Sequence, residues 1–270
     1  MNAGPDRGLH IDALRVAYGR RTVIERLGAA PLRPGTVTAV LGPNGSGKST
    51  LLRALAGLTP ATGTVSLDGQ SLSRAGLAER ARRIVYLPQS LPAAVHLRVI
   101  ESLLAARHAS PHRADTAAAG LGTDATLAEC EALLERLGIA ALAMRHLDEL
   151  SGGQAQLAGL AQALIRQPRV LLLDEPLSAL DLNHQFHVMS LIGEETRRHR
   201  MVTLVVLHDL SLALRHADRV LVLKDGALLA DGPPHAAITP ELLARVYGVQ
   251  ARVETCSRGT PQVIVDGLIA

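Results

Sequence analysis

Two hydrophobic rhythms alternate along the chain. The runs "TVTAVLG", "RIVYLP", "RVLLLDEP" and "TLVVLHD" are continuous, of strand length, and stop at Gly, Pro or acidic residues, as strands buried on both faces do. Residues 9–41 read as two strands, "LHIDALRVAY" and "TVTAVLG". Stretches at helical spacing separate the runs: one at 48–57, one from about 184, and a short one after "TLVVLHD". "TVSLDGQ" is a short strand with an Asp-Gly turn, and "RVLVLKDGALLADG" is a hairpin. Strand and helix alternating in this way predict an α/β fold with a parallel sheet covered on both sides. The stretch from about 96 to 164 differs. It is rich in Ala and Leu, helical in period and broken by "RHASPHRADTAAAGLGT", and it reads as a helical lobe inserted into the α/β core. The tail holds the short helix "PELLARVYG" and two weak strands.

Composition narrows the picture. At 270 residues and 47% hydrophobic, the chain can bury a full core. Its net charge of +3 comes from dispersed Lys and Arg, which argues against a nucleic-acid partner. Three Tyr, one Phe and no Trp leave little for stacking on single-stranded nucleic acid. Cys130 and Cys256 offer neither a disulfide framework nor a metal-ligand spacing. The opening "MNAGPDRGLH" lacks the basic start and apolar stretch of a secretory signal, so the chain is expected to stay inside the cell. No apolar run approaches the roughly 20 residues that cross a bilayer, so a membrane role needs a partner.

"GPNGSGKS", Gly42 to Ser49, matches the P-loop spacing after a strand and at a helix start. Gly42, Pro43, Asn44, Gly45, Ser46 and Gly47 form the loop, whose N–H groups point at a β-phosphate beside a helix N-terminus worth roughly half a positive charge. Lys48 reaches the β- and γ-phosphates, Ser49 holds Mg²⁺ and Thr50 is a neighbouring donor. "VLLLDEP" delivers Asp174 and Glu175 at the end of a buried strand. Paired acids there also cap helices. Beside a P-loop they read as a Mg²⁺ ligand, Asp174, and a base for an attacking water, Glu175. "LSGGQ" sets Ser151, Gly152, Gly153 and Gln154 at a second helix start, a further phosphate cradle. One copy of the chain is not expected to bring both cradles to one nucleotide. Two copies arranged head to tail can do so, in a dimer closed by two-fold symmetry.

With these motifs in this order, the chain resembles the nucleotide-binding subunit of ATP-binding cassette (ABC) transporters over nearly its whole length. The resemblance implies a P-loop NTPase (RecA-like) core with an antiparallel β subdomain and an inserted α-helical subdomain at about 90–165. It places the ATPase domain at 9–245, a short extension at 246–270 and disorder at 1–8. It also implies that Tyr18 stacks on adenine, that Gln89 in "YLPQ" touches Mg²⁺ or the water, that "SALD" ending at Asp181 pairs across the dimer, and that His208 contacts the γ-phosphate and the water. ATP and Mg²⁺ are the implied cofactors. The implied partners are a second copy, integral-membrane permease subunits docked at about 90–112, and an external binding protein. The implied place is the cytoplasmic side of the membrane. Ala155, Leu157 and Gln162 depart from the basic residues usual after the signature, and Leu177 replaces a common threonine. "SALDLNHQ" and the tail resemble importers of ferric siderophores, haem and cobalamin, ahead of an exporter or a soluble cluster-assembly ATPase. His184 and His187, three apart on a helix, fall short of the three or four ligands of a metal site.

Overall fold

The computed structural model describes residues 7–73, 75–90, 95–109 and 123–269. Strand β1 (Leu9–Tyr18) turns at Gly19, where φ is +59°, into β2 (Arg21–Leu32). The chain then runs through β3 (Thr36–Leu41) and helix α1 (Lys48–Leu55), and returns by β4 (Ala61–Leu67) and β5 (Gln70–Ser71) to complete an antiparallel sheet of order β2-β1-β4-β5. The region 9–41 therefore holds three strands where the hydrophobic pattern indicated two. β2 was missed because most of its positions are at least partly exposed, and only Ile24, Leu27 and Leu32 are deeply buried. Its pairing with β1 is also interrupted by register shifts, which blur the period-two signal.

The short α2 (Leu77–Ala81) and β6 (Ile84–Leu87) lead into three helices: α3 (Val99–His108), α4 (Thr123–Arg136) and α5 (Gly152–Ile165). The chain re-enters the core through β7 (Val170–Leu173), α6 (Leu182–Arg198), β8 (Val202–Val206), α7 (Leu210–His216) and the hairpin β9 (Arg219–Lys224) and β10 (Ala227–Gly232). These strands form a second sheet of order β10-β9-β3-β8-β7-β6, parallel throughout except at the β10 edge. Helices α8 (Pro234–Ala237) and α9 (Pro240–Tyr247) precede a terminal hairpin, β11 (Val249–Thr255) and β12 (Pro261–Leu268).

The parallel sheet separates two cores. Val37, Ala39, Leu41, Leu171, Leu173 and Val205 face one side, where they meet α3 to α6. Their strand neighbours Val40, Leu172, Leu204 and Val206 face the other, against α1 and the antiparallel sheet. Alternation of side chains along each strand, with both faces covered, explains why these strands read as unbroken apolar runs. Val249, Val253 and Val263 of the terminal hairpin pack on the first core.

The helical lobe is joined to the core by charge as well as by packing. Arg136 at the end of α4 donates to Glu195 of α6 at 2.5 Å and to Glu194 at 3.0 Å. Glu195 is 5% exposed and also meets His199 at 3.2 Å. At the other end of the chain, Gly8 exchanges bonds with Asp68, as donor to its carboxylate at 3.0 Å and as acceptor from its N–H at 2.9 Å. Of the segment 1–8, residues 1–6 lie outside the described residues. So do 91–94 and 110–112 of the expected docking surface.

Candidate functional site

Every predicted residue of the P-loop lies where β3 hands over to α1. Gly42 has φ +143°, and a Cβ there would sit 2.0 Å from the carbonyl oxygen of Leu223, so this position admits only glycine. Gly45 and Gly47 also take positive φ, which curls the loop before the first helical turn. Lys48 is buried; its Nζ donates to the carbonyls of Gly42 at 2.8 Å and Pro43 at 3.0 Å. Burial pulls the Lys48 ammonium below its ordinary pKa, and the charges of Glu175 and Asp174 oppose that. The buried hydroxyl of Ser46 has no partner among the described residues. A loop of curled glycines with an unpartnered hydroxyl and a buried cation fits a phosphate group.

The acid pair stands across the cleft at the end of β7. Asp174 is buried, and its two oxygens accept from Ser49 Oγ at 2.9 Å and Tyr86 Oη at 3.0 Å. Burial raises the Asp174 pKa, aided by Glu175 and opposed by Ser49, Tyr86 and Lys48. Burial and the neighbouring Asp174 likewise push the Tyr86 phenol upward. A hydroxyl and a carboxylate in contact, beside a phosphate loop, form a hard oxygen donor set that fits Mg²⁺.

Glu175 has φ +51°, a strained value for a residue with a side chain. Its carboxylate is shared: Gln89 Nε2 lies 2.5 Å from Oε2, and His208 Nε2 lies 2.7 Å from Oε1. Tyr18, Asn44, Gly45, Gly47, Lys48, Ser49, Thr50, Gln89, Glu175 and His208 line one cleft of about 670 Å³. Tyr18 is 49% exposed at its rim, with its hydroxyl 3.4 Å from Thr59.

The second cradle stands apart. Ser151, Gly152, Gly153 and Gln154 do not line this cleft. Ser151 caps α5, accepting from Gln154 N at 3.4 Å, while its own N–H donates to Gln154 Oε1 at 3.1 Å. Asp181 caps α6 through His184 N at 2.9 Å and also meets His184 Nδ1 at 2.8 Å. His187 contacts the Arg136 carbonyl at 2.6 Å. Of the residues that depart from the usual signature pattern, Leu157 is buried in the first core and Gln162 bonds Ser102 at 2.9 Å.

Sequence reasoning missed four contributors. Arg21 and Val23 line the cleft from β2, the strand whose pattern was unreadable. Tyr86 was quoted beside Gln89, but its contact with Asp174 depends on β6 lying next to β7, with Tyr86 opposite Leu172. Gln156 sat in plain view after the signature, two residues past Gln154, where helical spacing turns it away from the cradle.

A parallel sheet that ends in a phosphate loop, a lysine and an acid pair defines a nucleotide-binding P-loop NTPase. The chain belongs to the ABC transporter family, whose model matches residues 29–178. The ferric enterobactin transport ATP-binding protein FepC of Escherichia coli K12 is 38% identical over 264 residues, spanning 96% of this chain and 94% of that protein. The hemin import ATP-binding protein HmuV of Gloeobacter violaceus is 40% identical over 261 residues, spanning 93% and 92%. A solved chain of a metal-chelate type ABC transporter in an inward-facing conformation matches with a TM-score of 0.76 at 25% identity, over 97% of this chain and 98% of its own. The protein is therefore an ATP-binding subunit that couples ATP hydrolysis to transport. Among the described residues no helix is long and apolar enough to cross a membrane.

Proposed function

We propose that this chain is the ATPase of an importer carrying an iron complex (ferric siderophore or haem) or cobalamin across the cytoplasmic membrane. It works there as a homodimer on the cytoplasmic face of permease subunits served by an external binding protein. The observation that carries the reading is the convergence of Lys48, Ser49, Gln89, Glu175 and His208 on one cleft, with Asp174 bonded to Ser49, in a chain whose relatives include a ferric enterobactin transport and a hemin import ATP-binding protein.

Tyr18 stacks on adenine at the rim, and the loop from Gly42 to Gly47 cradles the β-phosphate. Lys48 leaves its carbonyl contacts for the β- and γ-phosphates, and Thr50 donates beside it. Ser49 and Asp174, with Gln89, would hold Mg²⁺, which would supply positive charge to neutralise the phosphates. Glu175 takes the proton of the attacking water while His208 and Gln89 keep its carboxylate aimed into the cleft. The partner copy supplies Ser151, Gly152, Gly153 and Gln154 to the far side of the γ-phosphate, with the loop ending at Asp181 lying along the dimer seam. ATP thus favours the closed dimer through contacts that exist only when both halves meet, and that difference moves the permease between access states.

The test deletes the chain and measures uptake of labelled siderophore iron, haem and cobalamin, with complementation by the wild type and by Glu175→Gln. Loss of one uptake, restored by the wild type alone, supports the reading and names the cargo. Unchanged uptake of all three overturns the importer reading in favour of an exporter or a soluble ATPase.

A further inference from the structure

Gln156 belongs to α5 by sequence but holds the loop after β7 by contact. Its side chain is buried, and its amide N–H groups donate to the Glu175 carbonyl at 3.0 Å and to Ser178 Oγ at 3.3 Å. Its Oε1 accepts from Ala179 N–H at 3.0 Å. One amide therefore spans both ends of the turn 175–179, which is also bonded within itself: Ser178 Oγ donates to the same Glu175 carbonyl at 3.1 Å. This is the turn that keeps Glu175 at φ +51° with its carboxylate between Gln89 and His208.

The other end of the linkage is the signature helix. Gln156 lies about one helical turn into α5, whose first residues are Gly152 and Gly153. The turn and the helix also meet directly, since a Cβ on Gly153 would come within 2.8 Å of the Ala179 carbonyl oxygen. Two independent contacts, from Gln156 and from Gly153, thus join the first turns of α5 to the turn 175–179 within one subunit. A hydrogen-bonded amide with both its ends on main-chain groups fixes orientation as well as distance, which an apolar contact does not.

We propose that Gln156 is a positioning residue: it sets the Glu175 backbone according to the placement of the signature helix, so that engagement of Ser151–Gln154 by the partner's nucleotide tunes the base in the subunit that lent the cradle. The proposal rests on Glu175 being the base. It predicts that the two sites of the dimer communicate through each subunit's own α5.

Gln156→Leu removes all three bonds at similar volume. The expected result is at least a tenfold fall in kcat, ATP affinity within twofold of wild type, and loss of cooperativity in ATP. Gln156→Glu adds a readout that a purely structural role would not move. Ionised, the side chain cannot donate to the Glu175 carbonyl; protonated, it can, while still accepting from Ala179. Its rate relative to wild type should therefore recover as pH falls, with Gln156→Leu showing no such recovery. The proposal is overturned if folded Gln156→Leu keeps kcat and cooperativity within twofold, or if Gln156→Glu tracks the wild-type pH profile. Glu175→Gln runs alongside: if it hydrolyses ATP at the wild-type rate, the base assignment fails and the proposal with it. If it is inactive while Gln156→Leu is not, only the positioning role fails.

Discussion

Glu195→Gln tests how the helical lobe is fastened to the core. Burial alone would raise the Glu195 pKa, but the hydrogen bonds from His199 and Arg136 outweigh it and hold the carboxyl at about 2, against an ordinary value of 4.5. Glutamine copies the protonated carboxyl, so the variant loses what ionisation contributes. At about 1.4 kcal/mol per pKa unit this is about 3 kcal/mol. Arg136 is one-third exposed, so solvent screening trims the expected loss to about 2–3 kcal/mol. The sign follows from a folded pKa below the unfolded one. The contribution is complete above the ordinary carboxylate value and drains away as pH falls toward the folded pKa of about 2. Urea unfolding of both proteins at neutral pH should show the full difference, and near pH 3 less than half of it should remain. A neutral-pH difference below about 0.5 kcal/mol, within the range of an ordinary surface substitution, or one that is unchanged in acid, would refute this reasoning.

Four further substitutions probe the second cradle and the rim of the cleft. Gly153→Ala meets the Ala179 carbonyl while Gly152→Ala meets open space, so thermal melting should show a loss of about 1–2 kcal/mol for the first and none for the second; equal melting of the two would contradict the packing described for α5. Tyr18→Ala should weaken ATP binding about two- to tenfold, the scale of one aromatic stacking contact, with Tyr18→Phe close to wild type in a fluorescent-nucleotide titration; if Tyr18→Phe binds as weakly as Tyr18→Ala, the hydroxyl and its contact with Thr59 matter more than the ring.

The parts of the site that were legible in the sequence are those whose chemistry is local. The P-loop is eight consecutive residues with fixed spacing, and Asp174 and Glu175 follow the most apolar strand in the chain, so both could be placed before any tertiary contact was known. The parallel sheet was legible for a similar reason, because strands covered on both faces leave few polar gaps. Contacts set by register were not legible. The bond from Tyr86 to Asp174 spans 88 residues and exists because β6 pairs with β7. Gln156 reads as an ordinary polar residue on a helix until α5 is seen against the turn 175–179. β2 was lost because an edge strand with bulged pairing carries too few buried positions to set a rhythm.

The parallel sheet, with a different apolar core on each face, acts as a partition wall inside the subunit. On one side lie α1 and the antiparallel sheet, whose strands help line the cleft; on the other lies the lobe proposed to meet the permease. Substitutions that remodel the lobe repack one chamber and leave the other's side chains untouched. A lineage can therefore rewrite the lobe away from α5, and with it the fit to a membrane protein, while the P-loop side is inherited intact; α5 itself is held to both tasks, because it carries Ser151–Gln154 and, through Gln156, touches the turn 175–179.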